Sequence, residues 1–540
     1  YPDGREEVLT ERDIELLPDF EQFVLYSDNC SRIFEFSGLR PGTVLDVTVR
    51  YRFDNLAFIP SITFQRHLPI IERRFRLECP NDIDIATYAV AMEDEPDTVI
   101  AVSGGKSEMR WERFDIEAFE PEESMPPEHQ YIPSLWITAA GRHKVGAELD
   151  LSSWGGISAW YADLCGRSMK CGKGIGGLVA AEMLPGRTDE EIARAIFKRV
   201  QRDFRYVAIA IGLGGYEPHH AEKTVEKLYG DCKDQSVVLA TALREAGIES
   251  QLVLVRTADL GRFDNPIPMF NYFNHAIVKA DIDGRSIFLD PVCKTCSFGV
   301  LPHIVQGAHG LVIGEEGTGL IEFPYGGTQD NRLEIQTAIR VDDGGNAVLN
   351  DTIRCSGYFS EAYRNYFENR EGRTPEEIAQ KMFLAHYPFA EIVKFDMHGS
   401  DPSSDNLNMR LEAQIPGYVE DRRVLFLKPA RRKAALPKVK IDDRKYPVCL
   451  GTPHRVKFET KVEFPVGWDL DGFPDSLVVD NDYIAFTGRY ERTDGAFSLL
   501  QVINIRMGAV SAEALPELER SIHSIRAFED SKILVQKASE

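Results

Sequence analysis

Residues 229–247 read YGDCKDQSVVLATALREAG. Apolar residues at Val237, Val238, Ala240, Leu243 and Ala246 recur at three- and four-residue spacing, which predicts an amphipathic helix. The Gly230-Asp231 turn precedes it, and Gly247 is a stop signal. This places one cysteine, Cys232, at the helix N-terminus. Unpaired backbone N–H groups and the positive end of the dipole favour an anion there. A thiol in that position is expected to ionise readily, and the thiolate is the nucleophilic form. A nucleophile of this kind requires a base, and the base requires an orienter.

Both are legible downstream. Residues 271–278, NYFNHAIV, read as a strand with His275 near its start. Residues 285–290, RSIFLD, read as a second strand ending at Asp290-Pro291. Asp283-Gly284 lies between them, and Asp-Gly is a strong hairpin signal. One hairpin would set His275 beside Asp290. His275 is then the expected general base and acid, and Asp290 the group that holds one imidazole tautomer. Each residue also has a structural reading: a buried cysteine, a satisfied core histidine, a strand-closing aspartate. The coincidence of all three in this order favours the catalytic set.

GDCKD at a helix start, FNHAIV on a strand and FLDPV on the next resemble the transglutaminase-like superfamily of Cys-His-Asp enzymes. RYVAI at 205–209 and GGYEPH at 214–219 resemble a bacterial branch of it. The resemblance implies a papain/transglutaminase-like core, preceded by a β-rich domain of unknown function and followed by another β-rich domain. The core motifs span roughly 150–302. The expected class is therefore α+β and multidomain, with two antiparallel, sandwich-like flanks. The implied activity is thiol-dependent acyl transfer on amides, as a cysteine peptidase, amidase or transglutaminase. The alternative is a non-catalytic scaffold of the cell envelope that binds peptides or proteins.

For the oxyanion, the Cys232 backbone N–H is one donor by position. A second donor comes from upstream in related enzymes, and Tyr206 and Tyr216 are the candidates, since a phenol can donate. Their structural alternative is core or loop packing. Asp231, Lys233 and Asp234 match the motif but are read as structural: Asp231 as a cap, the other two as helix-surface or loop-bracing charges. His219 and His220 could ligate a metal, although exposure or cleft lining fits them better.

Composition narrows the partners. A net charge of −23 disfavours nucleic acid, whose phosphates would be repelled. No apolar run reaches the roughly 18 residues of a membrane span. The expected partner is a peptide or protein substrate. No cofactor-binding residues, no metal site and no calcium loop are expected, and the oligomeric state is not legible. The chain opens YPDGREEV, without a visible signal peptide. The resemblance implies a periplasmic or secreted location, with a cytoplasmic one as the alternative. Nine cysteines leave one thiol over after at most four pairs. Cys293 and Cys296 form a CxxC that could be a small disulfide, half a zinc site or a redox pair; no second CxxC supports zinc.

The 540 residues suggest three or four cores. The expected units are 1–140, β-rich; 146–325, catalytic; and 326–540, β-rich with a helical insertion. Residues 44–53 and 70–78 alternate like half-buried strands. Residues 119–133, rich in Pro and Glu, read as an extended connector. Thr188 and Glu191 form a capping box, and Ser152 or Ser153 caps a helix over 154–165. Residues 208–218, with Gly212, Gly214 and Gly215, read as a tight loop beside the site. Two helices are expected within 358–387 and one over 515–527. The basic run at 428–433 reads as a solvated loop.

Overall fold

The computed structural model describes residues 1–18, 24–27, 30–53, 56, 59–92, 98–145, 147–210, 216–261, 267–314, 319–369, 372–419, 424–438 and 444–537. Within them the chain is a multidomain, β-rich α+β protein with eight α-helices.

Two three-stranded antiparallel sheets dominate the N-terminal part. One is ordered Ile70–Pro80, Lys106–Ile116, Thr98–Ser103; the other Ile62–Thr63, Ser134–Ala139, Ile85–Val90. Trp111 of the first and Ile137 of the second share one buried cluster, so the sheets close on each other as a sandwich does. Residues 44–53 carry no strand, although they were expected to form one. Val44, Val47, Val49 and Tyr51 are all at least half exposed. Alternation says which face a strand would bury, but a strand also needs a neighbour to supply its hydrogen bonds.

The central part is built around one helix. α1 (Trp154–Gly166) is capped by Ser153, whose side chain accepts from the Gly156 N–H. α2 (Lys173–Ala180) follows, then α3 (Asp189–Asp203), opened by the Thr188/Glu191 capping box. Ile192, Ile196 and Val200 form its buried stripe. α4 (Ala221–Lys227) leads into α5 (Cys232–Glu245). Eleven of the fourteen α5 residues are buried, so it is a core spine and not the half-exposed amphipathic helix that its spacing suggests. α2, α3 and α4 cover one side of it, and a five-stranded antiparallel sheet covers the other. That sheet is ordered Arg285–Leu289, His275–Ile282, Glu249–Arg256, His309–Val312, Leu320–Glu322. Asp283 and Gly284 have φ of 50° and 74°, the two left-handed residues of a type I′ turn. Gly212, Gly214 and Gly215 of the expected tight loop lie outside the described residues.

The C-terminal part is an eight-stranded sheet. Its order is Glu391–His398, Asn406–Ile415, Ala347–Ser356, Arg332–Val341, His454–Glu463, Ala496–Ile505, Ile484–Thr493, Leu477–Asp480. α6 (Tyr358–Glu368), α7 (Pro375–Leu384) and α8 (Leu515–Glu529) pack on it. A three-stranded sheet, Val424–Leu427, Ile533–Lys537 and Trp468–Asp471, shares a second cluster with its far end.

Two expectations about surface segments change. The 119–133 connector is a clasp. Phe119 is buried against the Tyr446 ring, and the Glu122 carboxylate accepts the Lys445 and Tyr446 N–H groups and pairs with Arg444. The basic run is not a solvated loop throughout. Arg432 is buried and pairs with Asp351, and its guanidinium also donates to Thr337 Oγ1 at 3.0 Å. Charge in a sequence window signals water only when no partner waits inside, and Asp351 lies 81 residues away. Removing one member of a buried pair leaves an uncompensated charge, at a cost of about 3–5 kcal/mol. Arg432→Ala should lower the midpoint of the C-terminal unfolding transition in urea accordingly, whereas Arg432→Met with Asp351→Leu should restore most of it.

Candidate active site

The first turn of α5 is buried together with its charges, and this sets the position of Cys232. Asp231 is the N-cap: its side chain accepts the Asp234 N–H, and the Asp234 carboxylate accepts the Asp231 N–H. Lys233 is inside the protein and pairs with Asp231. Burial opposes the Lys233 charge, but Asp231 and Asp234 outweigh it and hold the ammonium above its usual range. The helix-surface reading of Lys233 and Asp234 therefore fails. Asp234 does brace a loop: it accepts the His219 N–H at 2.8 Å, and His219 Nδ1 lies 3.1 Å from its other oxygen. That hydrogen bond raises the His219 pKa. A Cβ at Gly230 would come within 2.6 Å of the Asp234 Cβ, so this position accepts only glycine.

Cys232, the first α5 residue, is partly exposed. One turn on, the buried Ser236 hydroxyl donates to the Ala276 carbonyl at 3.0 Å, which ties α5 to the residue after His275. Gln235 braces the loop before Cys232 through the carbonyls of Gly230 and Arg205. His275 opens its strand. Asn274 anchors the entry by accepting the Thr257 N–H and donating to the Thr257 hydroxyl. Sequence reading missed Ser236, Gln235 and Asn274. The signal for Ser236 was a polar residue four positions after Cys232 on an otherwise apolar helix.

His275 and Asp290 come together across the hairpin. The register pairs Val278 with Leu289, which leaves Asp290 diagonal to His275 on neighbouring strands. His275 Nε2 donates to Asp290 Oδ2 at 2.8 Å, and Asp290 Oδ1 accepts the Val292 N–H at 3.1 Å. With Nε2 occupied by Asp290, Nδ1 is the ring nitrogen left for a second partner. Burial alone would lower the His275 pKa. The Asp290 charge and hydrogen bond, with the Cys232 sulfur, overcome it and hold the ring well above the ordinary histidine range. Imidazole and carboxylate thus form a hydrogen-bonded pair, and the Cys232 sulfur is near enough to act on the charge of the ring.

The tyrosines are less central. Tyr206 pairs in a short parallel ladder with Gly230, two residues before Cys232. Tyr216 packs its ring on Phe270 at 5.2 Å, and its carbonyl accepts from the Tyr161 hydroxyl. The CxxC is closed as a Cys293–Cys296 disulfide three residues past Asp290. Gln201 Nε2 donates to both cysteine carbonyls. Among the described residues, Cys293, Cys296 and Glu361 are grouped as metal-ligating types, but both sulfurs are engaged in the S–S bond.

Residues 179–291 match the transglutaminase-like superfamily core. Residues 1–120 match a domain of unknown function with a solved structure, DUF3857, and residues 423–535 match another, DUF3858. A search of curated proteins returns no match. Among solved structures, the chain is similar to a "putative protease" from Parabacteroides distasonis ATCC 8503, at 13% identity and a TM-score of 0.54, over 88% of this chain and 74% of that one. That likeness establishes a shared fold. A "putative cysteine protease" from Cytophaga hutchinsonii gives 14% identity over 43% of this chain and 74% of that one, with a TM-score of 0.20, too low to carry an argument.

The charge balance at His275 is testable. Asp290→Asn removes the opposing carboxylate, so burial should prevail and the His275 pKa, followed by NMR titration, should fall below about 6.5. The sign for stability follows from linkage. The folded pKa is raised, so the stabilisation is fully present below about pH 6.5 and is lost as pH rises through the folded value.

Proposed function

Starting from a transglutaminase-like core set between DUF3857 and DUF3858 domains, we propose that this protein is a thiol-dependent acyl-transfer enzyme acting on peptide or glutamine-type amides. The observation that supports the reading is the His275–Asp290 pair, with Nε2 2.8 Å from the carboxylate and the Cys232 sulfur among the groups that raise the pKa of the ring. The Cys232 sulfur attacks the amide carbonyl carbon. The oxyanion is received by the Cys232 backbone N–H, which the capping box does not use. Tyr206 or Tyr216 is the candidate second donor. His275, protonated at Nδ1, gives that proton to the leaving nitrogen, and the C–N bond breaks to leave a thioester. Water or an amine then attacks the thioester carbonyl, His275 takes its proton, and the thiolate leaves. Asp290 keeps the ring in the required orientation throughout. Attack by water makes the enzyme a peptidase or amidase; attack by an amine makes it a transglutaminase.

The partner is a peptide or protein substrate. The Cys293–Cys296 disulfide supports a periplasmic or secreted setting, because such bonds persist in oxidising compartments. No helix among the described residues is long and apolar enough to cross a membrane.

Activity-based labelling tests the assignment. Cys171 and Cys449 are exposed thiols, so the comparison is made in a protein with both changed to serine. An electrophilic peptide probe should label that protein. The further substitution Cys232→Ala should abolish labelling and turnover of a peptide library, and His275→Ala should lower turnover by about 10²-fold or more. Equal labelling with and without Cys232 would refute the reading.

A further inference from the structure

Acyl transfer at Cys232 makes no use of the Cys293–Cys296 disulfide. The bond joins residues only three apart in the chain, and a disulfide stabilises a fold least when the loop it closes is short. The loop is also held without it. The buried Gln201 amide donates to both cysteine carbonyls. Lys294 Nζ donates to the Gln201 and Phe204 carbonyls at the end of α3, and Arg364 Nη1 donates to the Thr295 carbonyl at 3.1 Å. Reduction would therefore leave the two sulfurs on a fixed loop and within reach of each other, as an exchangeable pair requires.

The two cysteines are unequal. Cys293 is partly exposed and Cys296 is buried. The Thr295 hydroxyl lies 3.8 Å from Cys293 Sγ, where it can donate to a thiolate. A carboxylate oxygen of Glu361, on α6, lies within 4.8 Å of both sulfurs, a gap that one water spans. Glu361 is buried. Its carboxylate accepts the His303 N–H at 3.2 Å and faces His303 Nδ1 at 3.3 Å, which leaves a lone pair on each oxygen. The His303 side chain is 59% exposed, so the cluster reaches the surface. A purely structural disulfide has no use for a carboxylate at its sulfurs. A reduced pair does, because its shielded thiol must lose a proton before it can attack.

We propose that Cys293 and Cys296 form a thiol–disulfide exchange site, with Cys293 as the attacking sulfur, Glu361 as the base that serves Cys296, and an accessible disulfide as the partner. The proposal is independent of the Cys232 chemistry. In the reduced pair the Cys293 thiolate attacks one sulfur of the partner disulfide. That S–S bond breaks, a mixed disulfide forms on Cys293, and the first partner sulfur leaves as a thiolate that takes a proton from water. Glu361 then takes the Cys296 proton as Cys296 attacks the Cys293 sulfur. The Cys293–Cys296 bond forms, and the second partner sulfur leaves with the proton that Glu361 held. Two protein thiols are oxidised and one partner disulfide is reduced to two thiols. A dithiol runs the same steps in reverse and returns the pair to its reduced form.

The test uses the full chain with Cys30, Cys171 and Cys449 changed to serine and Cys232 to alanine, reduced with dithiothreitol and desalted. Glutathione disulfide should restore the Cys293–Cys296 bond, read by mass spectrometry after acid quenching and alkylation. Cys296→Ser should stop the reaction at a glutathione adduct on Cys293, whereas Cys293→Ser should form an adduct about tenfold or more slowly than that. Glu361→Gln should slow the second step alone, so that the Cys293 adduct accumulates and ring closure falls about tenfold or more. A bracing role for Glu361 would not single out one step. If that variant does not fold, Glu361→Asp withdraws the carboxylate by one methylene and makes the same test. Reaction with glutathione disulfide alone would indicate a small-molecule partner; reduction of insulin disulfides as well would indicate a protein partner. Failure to restore the bond would overturn the proposal. So would an adduct on Cys296 in preference to Cys293, or undiminished ring closure in a folded Glu361 variant.

Discussion

Burying the first turn of α5 takes Asp231, Lys233 and Asp234 out of water together, and that cost has to be met locally. An isolated buried charge is prohibitive; a paired and hydrogen-bonded set is tolerable. The three side chains meet it by closing on one another and on the helix's own orphan N–H groups, with His219 completing the set. The outcome is geometric. The helix cannot slide or rotate without leaving a charge unpaired, so the partly exposed Cys232 at its tip stays in one place. The residues that flank the sulfur position it.

The same economy holds across the hairpin. Asp290 is almost completely buried, yet both of its oxygens have donors, one from His275 and one from the Val292 N–H. Ser236 then joins helix to strand by a single hydroxyl–carbonyl bond. Sulfur, imidazole and carboxylate come from three separate elements, and their registration relies on contacts that do no chemistry.

The flanking domains are fastened to this core. The buried Arg364 guanidinium of α6 donates to the carbonyls of Thr295, Gly399 and Ser404, linking the loop after Asp290 to the C-terminal sheet. The clasp at Glu122 ties the N-terminal part to residues 444–446. Polar side chains meeting backbone carbonyls and N–H groups form these two junctions, whereas the N-terminal sheets also share one apolar cluster with α1, α3 and α5.

Much of the molecule was legible in the sequence because its information is local. The caps at Ser153, Thr188 and Asp231, the Asp283-Gly284 turn, and the helices opening at Tyr358 and Pro375 are each specified within a few residues. The elements that carry Cys232, His275 and Asp290 were legible for the same reason, since helix tip, strand and hairpin are short-range features. What failed depended on distant partners. Residues 44–53 alternate like a strand but pair with no strand among the described residues, Lys233 looked solvated and is buried, and Arg432 looked like loop charge and neutralises Asp351. Periodicity and charge describe what a segment can do alone. Burial and pairing are properties of the packed whole, so only the tertiary structure could decide them.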